Sequence, residues 1–218
     1  MSAADYGLAR NLMVDGQLRP NKVADRRILE AMRFLPRETF VPPSVANLAY
    51  IDQDLAVGGG RFMLKPLVIA RLLQLARPRT GETALVVGSG TGYGAAILAA
   101  CGVQVTALEQ DPALIDIARR ALSDHNAITL TLGPLADGHA ASAPYDLVVI
   151  EGAVRAIPEI VGRQVAASGR LVTIIKENGV AGYAALAEPT TGGLRAQAAF
   201  DANAPLLPGL SPAKSFIF

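Results

Sequence analysis

Hydrophobic positions along the chain change their spacing twice, and the changes divide it into three stretches. Between Asp25 and Leu35, the residues Ile28, Leu29, Met32 and Leu35 recur on one face of a helix, which Pro36 ends. An earlier helix is expected from Tyr6 to Leu18. Residues 51–66, IDQDLAVGGGRFMLKP, join three consecutive glycines to two cations and read as a loop able to approach another surface closely. From Pro66 the helical spacing returns with Leu67, Val68, Ala70, Leu72, Leu73 and Leu75, and Pro78 stops it.

Beyond Gly81 the apolar runs become short and β-rich, with helical patterns between them. Strands are expected near 83–87, 103–108, 128–132, 146–150 and 170–175, and helices near 93–100, 112–122 and 158–166. A βαβ series of this kind buries both faces of a parallel sheet under helices, which predicts a three-layer α/β sandwich, Rossmann-like, with its ligand at the carboxyl ends of the strands. The segments 183–188 and 194–201 flank the turn signal TTGG and predict an antiparallel hairpin. Pro205, Pro208 and Pro212 then exclude regular helix, and the FIF ending is either an edge strand or a frayed tail. The division expected is a helical extension with a substrate loop over residues 1–79 and a ligand-binding domain over 80–218.

Composition narrows the function classes. The 218 residues carry 20 basic and 19 acidic side chains, a net charge of +1, so no nucleic-acid or anionic-membrane partner is indicated. Charge is uneven, with 12 basic against 7 acidic groups in residues 1–79, which supports the same boundary. One cysteine, Cys101, forms no internal disulfide and begins no metal-ligand set, and His125 and His139 lack spaced companions; no metal is expected. Charged residues near the start and the lack of a long apolar run predict a soluble, cytoplasmic protein.

The candidate chemistry lies in the turn after the first parallel strand, VVGSGTGYGAA, with Gly88, Gly90 and Gly92 at a strand-to-helix junction. Glycines there allow a tight turn and close backbone approach, while the helix start presents free N–H groups to a polar ligand. Glu109 ends the next strand, 19 residues after Gly90, where a carboxylate accepts from both hydroxyls of a ribose. A dinucleotide and S-adenosylmethionine both carry that ribose. The spacing is not the GxGxxG of a pyrophosphate turn and no cation stands in the loop, so a zwitterionic amino-acid tail suits it better.

These residues resemble the first motif of protein-L-isoaspartate O-methyltransferases, VVGSGTGYGAAILA at 86–99. The segments AMRFLPRETFVP at 31–42, AYIDQDLAVGGG at 49–60, APYDLVVIEGA at 143–153 and SGRLV at 168–172 resemble further blocks of that family in the same order. The resemblance covers roughly residues 12–175. It implies a seven-stranded, mostly parallel methyltransferase sheet with an antiparallel C-terminal hairpin strand and a helical N-terminal extension. It also implies a monomer or weak homo-oligomer, S-adenosyl-L-methionine as cofactor, and methylation of L-isoaspartyl carboxylates in a protein or peptide, which starts their repair. The cofactor positions it implies are Gly88, Ser89, Gly90, Gly92 and Tyr93 in the loop, Glu109 at the ribose, and Gln110 and Leu135 near the adenine.

Two positions depart from the family pattern. Its substrate loop reads close to GQTISQP, whereas residues 60–66 are GRFMLKP, so Leu64 stands at the serine and offers no hydroxyl. Pro134 stands where the family has an adenine-contacting aspartate, with Asp137 nearby as a substitute. A carboxylate with a pKa near about 3.5 is already a nucleophile at neutral pH, so the chemistry demands alignment and no general base. Arg61 and Lys65 are therefore assigned to orienting the acceptor carboxylate; the alternative is that both are solvated or paired with Asp52 and Asp54. Glu151, after VVI, either touches the substrate or the cofactor's amino group, or caps Arg155 or the following turn. Transfer to a different acceptor, and a non-catalytic cofactor-binding role, stand as alternatives because of Leu64.

Overall fold

The computed structural model describes residues 2–177 and 180–210. Helix α1 (Ala3–Leu12) is opened by a capping box between Ser2 and Asp5 and continues as a wider turn to Leu18. Helix α2 (Arg26–Phe34) starts on the Asp25 carboxylate, which accepts from the Arg27 N–H, and buries Ile28, Leu29 and Met32. Leu35, held extended before Pro36, ends it.

Residues 51–66, expected as a loop, contain a small hairpin: β1 (Leu55–Gly58) pairs antiparallel with β2 (Arg61–Met63). The correction has a physical reason in the sequence. Leu55 and Val57 alternate with exposed residues, as do Arg61 and Met63 around Phe62, and Gly58, Gly59 and Gly60 take positive φ at the turn. Period two places Arg61 on the inner face with Met63.

Helix α3 (Pro66–Ala76) leads into β3 (Thr83–Val87), α4 (Tyr93–Ala100), β4 (Gln104–Glu109), α5 (Pro112–Ala121) and β5 (Ile128–Leu132). The chain continues through β6 (Tyr145–Val154), α6 (Glu159–Gly162), β7 (Val165–Ile175), β8 (Tyr183–Thr190) and β9 (Gly193–Asp201). Seven strands form one sheet in the order β5-β4-β3-β6-β7-β8-β9, parallel from β5 to β7 and antiparallel at the β7–β8 and β8–β9 pairs. The expected helix over 158–166 shrinks to α6, because Val165 already pairs with Tyr145 in the sheet.

One apolar cluster runs from Met13 through α2 and α3 to Ala204, so residues on both sides of position 79 share a core. A second, with Leu85, Val87, Val148 and Leu171, covers the other face of the sheet. The strand order reverses at β3, whose neighbours are β4 and β6. That reversal opens a crevice at the carboxyl ends of β3 and β6, the usual place for a ligand in such a sheet. Among the described residues no helix is long and apolar enough to cross a membrane. The FIF ending and Pro212 lie outside the described residues.

Candidate active site

The turn after β3 is fastened to β4 from two directions. The Gly88 and Ser89 N–H groups both donate to the Leu108 carbonyl, at 2.9 and 3.0 Å, and the Gly90 N–H donates to Glu109 Oε2 at 2.8 Å. Gly90 has φ 56°, and Gly92, with φ 93°, caps α4; both are backbone conformations that glycine adopts without strain. Glu109 is fully buried and also accepts from the Gln110 and Asp111 N–H groups.

Arg61 completes this arrangement in an unexpected way. Its side chain is buried, and Nη1 donates to Oε1 and Oε2 of Glu109 at 2.8 and 2.7 Å while Nη2 donates to the Gly88 carbonyl at 2.7 Å. The reason is local: the β1–β2 alternation turns residue 61 inward, and a buried guanidinium requires an anion. It therefore meets neither a free acceptor carboxylate nor Asp52 or Asp54. Lys65 remains half-buried, and its backbone N–H donates to Asp54 Oδ1.

Beneath the glycine turn lies a second buried group of polar side chains. Arg37 is fully buried, donates to the carbonyls of Ala49 and Leu64, and stacks 4.7 Å from the centre of the Tyr93 ring. Burial lowers the pKa of Arg37 and raises that of Tyr93. Glu151, within β6, is pushed up to about 8 by burial, with Arg61 and then Arg37 pulling the other way. Ser89 Oγ, Tyr93 OH and Glu151 Oε2 are buried without a hydrogen-bond partner among the described residues. Leu64 packs at 1% exposure and engages Arg37 only through its carbonyl.

The crevice is covered from the C-terminal side. Leu207 is buried, and its N–H donates to the Ala153 carbonyl at 2.7 Å, while the Ala153 N–H donates to Pro205 at 3.0 Å. Between Arg61, Leu64, Glu151 and Leu207 only about 10 Å³ is left, no more than one water could claim. A cavity of about 620 Å³ opens beside Glu109, lined by Arg61, Gln110, Leu132 and Pro134. Gln110 and Pro134 thus face the space expected for an adenine. Leu135 does not: it packs in the second apolar cluster with Leu108 and Val148. Asp137 is exposed and its carbonyl accepts from Gln164. His125 and His139 are half-buried, and no group of three His, Cys, Asp or Glu residues among those described could hold a metal ion.

Residues 9–193 match the family model for protein-L-isoaspartate(D-aspartate) O-methyltransferase. The chain belongs to this family. It is 40% identical over 172 residues to the protein-L-isoaspartate O-methyltransferase of Methylorubrum extorquens, covering 77% of this chain and 74% of that one. The Methanospirillum hungatei protein of the same name is 36% identical over 174 residues, 78% of this chain and 80% of its own. Among solved structures, a Plasmodium falciparum chain described as such a methyltransferase, in complex with S-adenosyl-L-homocysteine, superposes with TM-score 0.74. It is 18% identical, with 94% of this chain and 98% of that one covered, and shows the shared fold.

Membership agrees with the resemblance carried by the sequence blocks, and the fold is the one expected of it. The site's groups suit an S-adenosyl nucleoside in kind: glycines that admit a ligand to the backbone, a carboxylate at the end of β4, and three buried polar atoms awaiting partners. Two buried residues packed around the site escaped sequence reasoning. Arg37 carried little signal, since Glu38 beside it and Arg33 before it make the stretch read as ordinary charged surface. Leu207 carried none beyond the prolines at 205 and 208, which hold the segment extended.

Proposed function

We infer that the protein transfers a methyl group from S-adenosylmethionine to the carboxylate of L-isoaspartyl residues in proteins or peptides. The observation that supports this best is the turn at Gly88–Gly92 locked to the buried Glu109, in a chain whose family carries that activity in its name. When bound, the cofactor supplies a sulfonium methyl that a carboxylate oxygen takes directly, leaving a thioether. Gly88, Ser89, Gly90, Gly92 and Tyr93 would hold the amino-acid end, Glu109 the ribose, and Gln110 with Pro134 the adenine. Glu151 would meet the amino group with its unpartnered oxygen. Lys65, half-buried, is the loop cation left to orient the acceptor, since Arg61 is engaged with Glu109. The single cysteine supports a reducing, cytoplasmic setting, the near-neutral charge supports a role without nucleic acid, and the family resemblance supports a monomer or weak homo-oligomer.

The test is transfer of isotopically labelled methyl from S-adenosylmethionine to a peptide containing isoaspartate, with the aspartyl peptide as control. Labelling of the first alone supports the assignment. The apolar Leu64 side chain favours a second reading, a changed acceptor, which labelling of cell-extract protein without labelling of the peptide would support.

A further inference from the structure

We propose that Arg61 and Leu207 are an internal stand-in for the methyl donor, occupying its polar contacts and its apolar space, so that the nucleoside must displace both to bind. This rests on the function inferred above and adds a determinant of affinity that the family fold does not require.

The polar half of the stand-in is the guanidinium. Glu109 receives five contacts from four donor nitrogens: two from Arg61 Nη1, and one each from the Gly90, Gln110 and Asp111 N–H groups. A carboxylate offers about four lone-pair sites, so no capacity is left for the hydroxyls of a ribose. Nη2 of the same residue takes the Gly88 carbonyl, an acceptor at the start of the turn that a bound ammonium could use. One side chain thus satisfies an acid and a carbonyl that the donor's sugar and amino group would otherwise share.

The apolar half comes from the segment after β9. A parallel bridge between Ala153 and Leu206 fixes it along the end of β6. The Leu207 side chain then lies against two glycines: a Cβ added at Gly88 would be 2.7 Å from its Cδ2, and one at Gly152 3.1 Å from its Cδ1. This is the space between the turn and β6, where the crevice of the sheet would otherwise be open.

The piece that carries Arg61 is lightly held. The β1–β2 hairpin is a separate two-stranded sheet, turned by three glycines, and such a hairpin has little stability of its own. Gly58, Gly59, Gly60 and Phe62 are exposed, so a shift of the hairpin carries the guanidinium out to water. The closed arrangement also leaves Ser89 Oγ, Tyr93 OH and Glu151 Oε2 buried and unpartnered, a penalty that a polar ligand removes and leucine cannot.

When the competent state is a fraction of the population, apparent affinity falls by that fraction. Titration calorimetry with S-adenosylhomocysteine, which lacks the sulfonium charge, reads this directly. The wild-type chain is compared with Arg61→Gln, which keeps a donor but not the charge, and with Leu207→Gly, which leaves the ion pair intact. Arg163→Ala, at an exposed pair with Glu159, is the control, and circular dichroism verifies folding of each. Each folded variant is expected to bind at least about tenfold more tightly, about 1.4 kcal/mol, with the control unchanged. Affinity equal to or weaker than wild type in Arg61→Gln overturns the polar half, and in Leu207→Gly the apolar half. Wild-type binding with neither variant tighter overturns the proposal and leaves the methyltransferase reading standing. Absence of binding in every chain overturns both.

Discussion

Replacing Glu151 with glutamine should make stability less dependent on pH, and the size follows from where the carboxyl lies. It is buried in β6 near Arg61, Arg37 and Glu109, and burial dominates to raise its pKa to about 8. In the unfolded chain a glutamate titrates near about 4.3. Between those values the folded state holds a proton that the unfolded state has lost. The stabilisation is therefore complete at low pH and fades as pH rises towards 8, at about 1.36 kcal/mol per unit. From pH 5 to pH 7.5 the wild type loses on the order of 3 kcal/mol through this one group. Glutamine has nearly the same shape and does not titrate. Urea denaturation of wild type and Glu151→Gln at several values across that range should show their difference growing by about 3 kcal/mol in favour of the variant. All other ionisable groups are common to both and cancel. A difference that stays flat with pH would refute the reasoning, since Glu151 would then be ionised in the folded protein and paired with the guanidinium.

Gly94 faces the Glu151 carboxylate so closely that a Cβ would run into it. Gly94→Ala should therefore lose about 1–3 kcal/mol by denaturation, although alanine is the better helix former, and a more stable variant would contradict this. Arg37→Met should cost about 3 kcal/mol, because the carbonyls of Ala49 and Leu64 lose their buried donor; a change under about 0.5 kcal/mol would show that they find another. Burial raises the Cys101 thiol to about 11, leaving about one thiolate in a thousand at pH 8, so iodoacetamide should alkylate the unfolded chain and spare the native one.

The framework of the sheet was legible because its signals are local. The strand at Thr83–Val87 and the helix at Tyr93–Ala100 match the expected bounds, since a buried parallel strand is a continuous apolar run closed by a glycine turn. The β8–β9 hairpin was marked by its TTGG turn. The short β1–β2 hairpin was hidden by its glycines, which read as loop, although Leu55, Val57 and Met63 carried the alternation. In the site, Glu109 was legible by its distance from Gly90, a relation set by the βαβ unit itself. The partner of Arg61 was not, because 48 residues separate it from Glu109 and only the tertiary fold brings them together. Leu135 failed for the related reason that an apolar residue beside a pocket and one beneath it look alike in sequence.

The placement of Arg61 ties the electrostatics of the site together. A carboxylate as deeply buried as Glu109 cannot remain ionised without a cation or a set of donors, and here it has both. In the closed arrangement the compensating charge is the guanidinium, and Glu151, protonated at neutral pH, adds none. An incoming methyl donor brings its own positive charges, an ammonium and a sulfonium, into the same neighbourhood. If Arg61 stayed in place, those cations would meet it across a desolvated gap; if it swings out, they inherit the anion it leaves. Displacement thus exchanges one positive group for others around an unchanged acid. The substitution at position 61 can therefore act on affinity without requiring any change in the glycine turn or in Glu109.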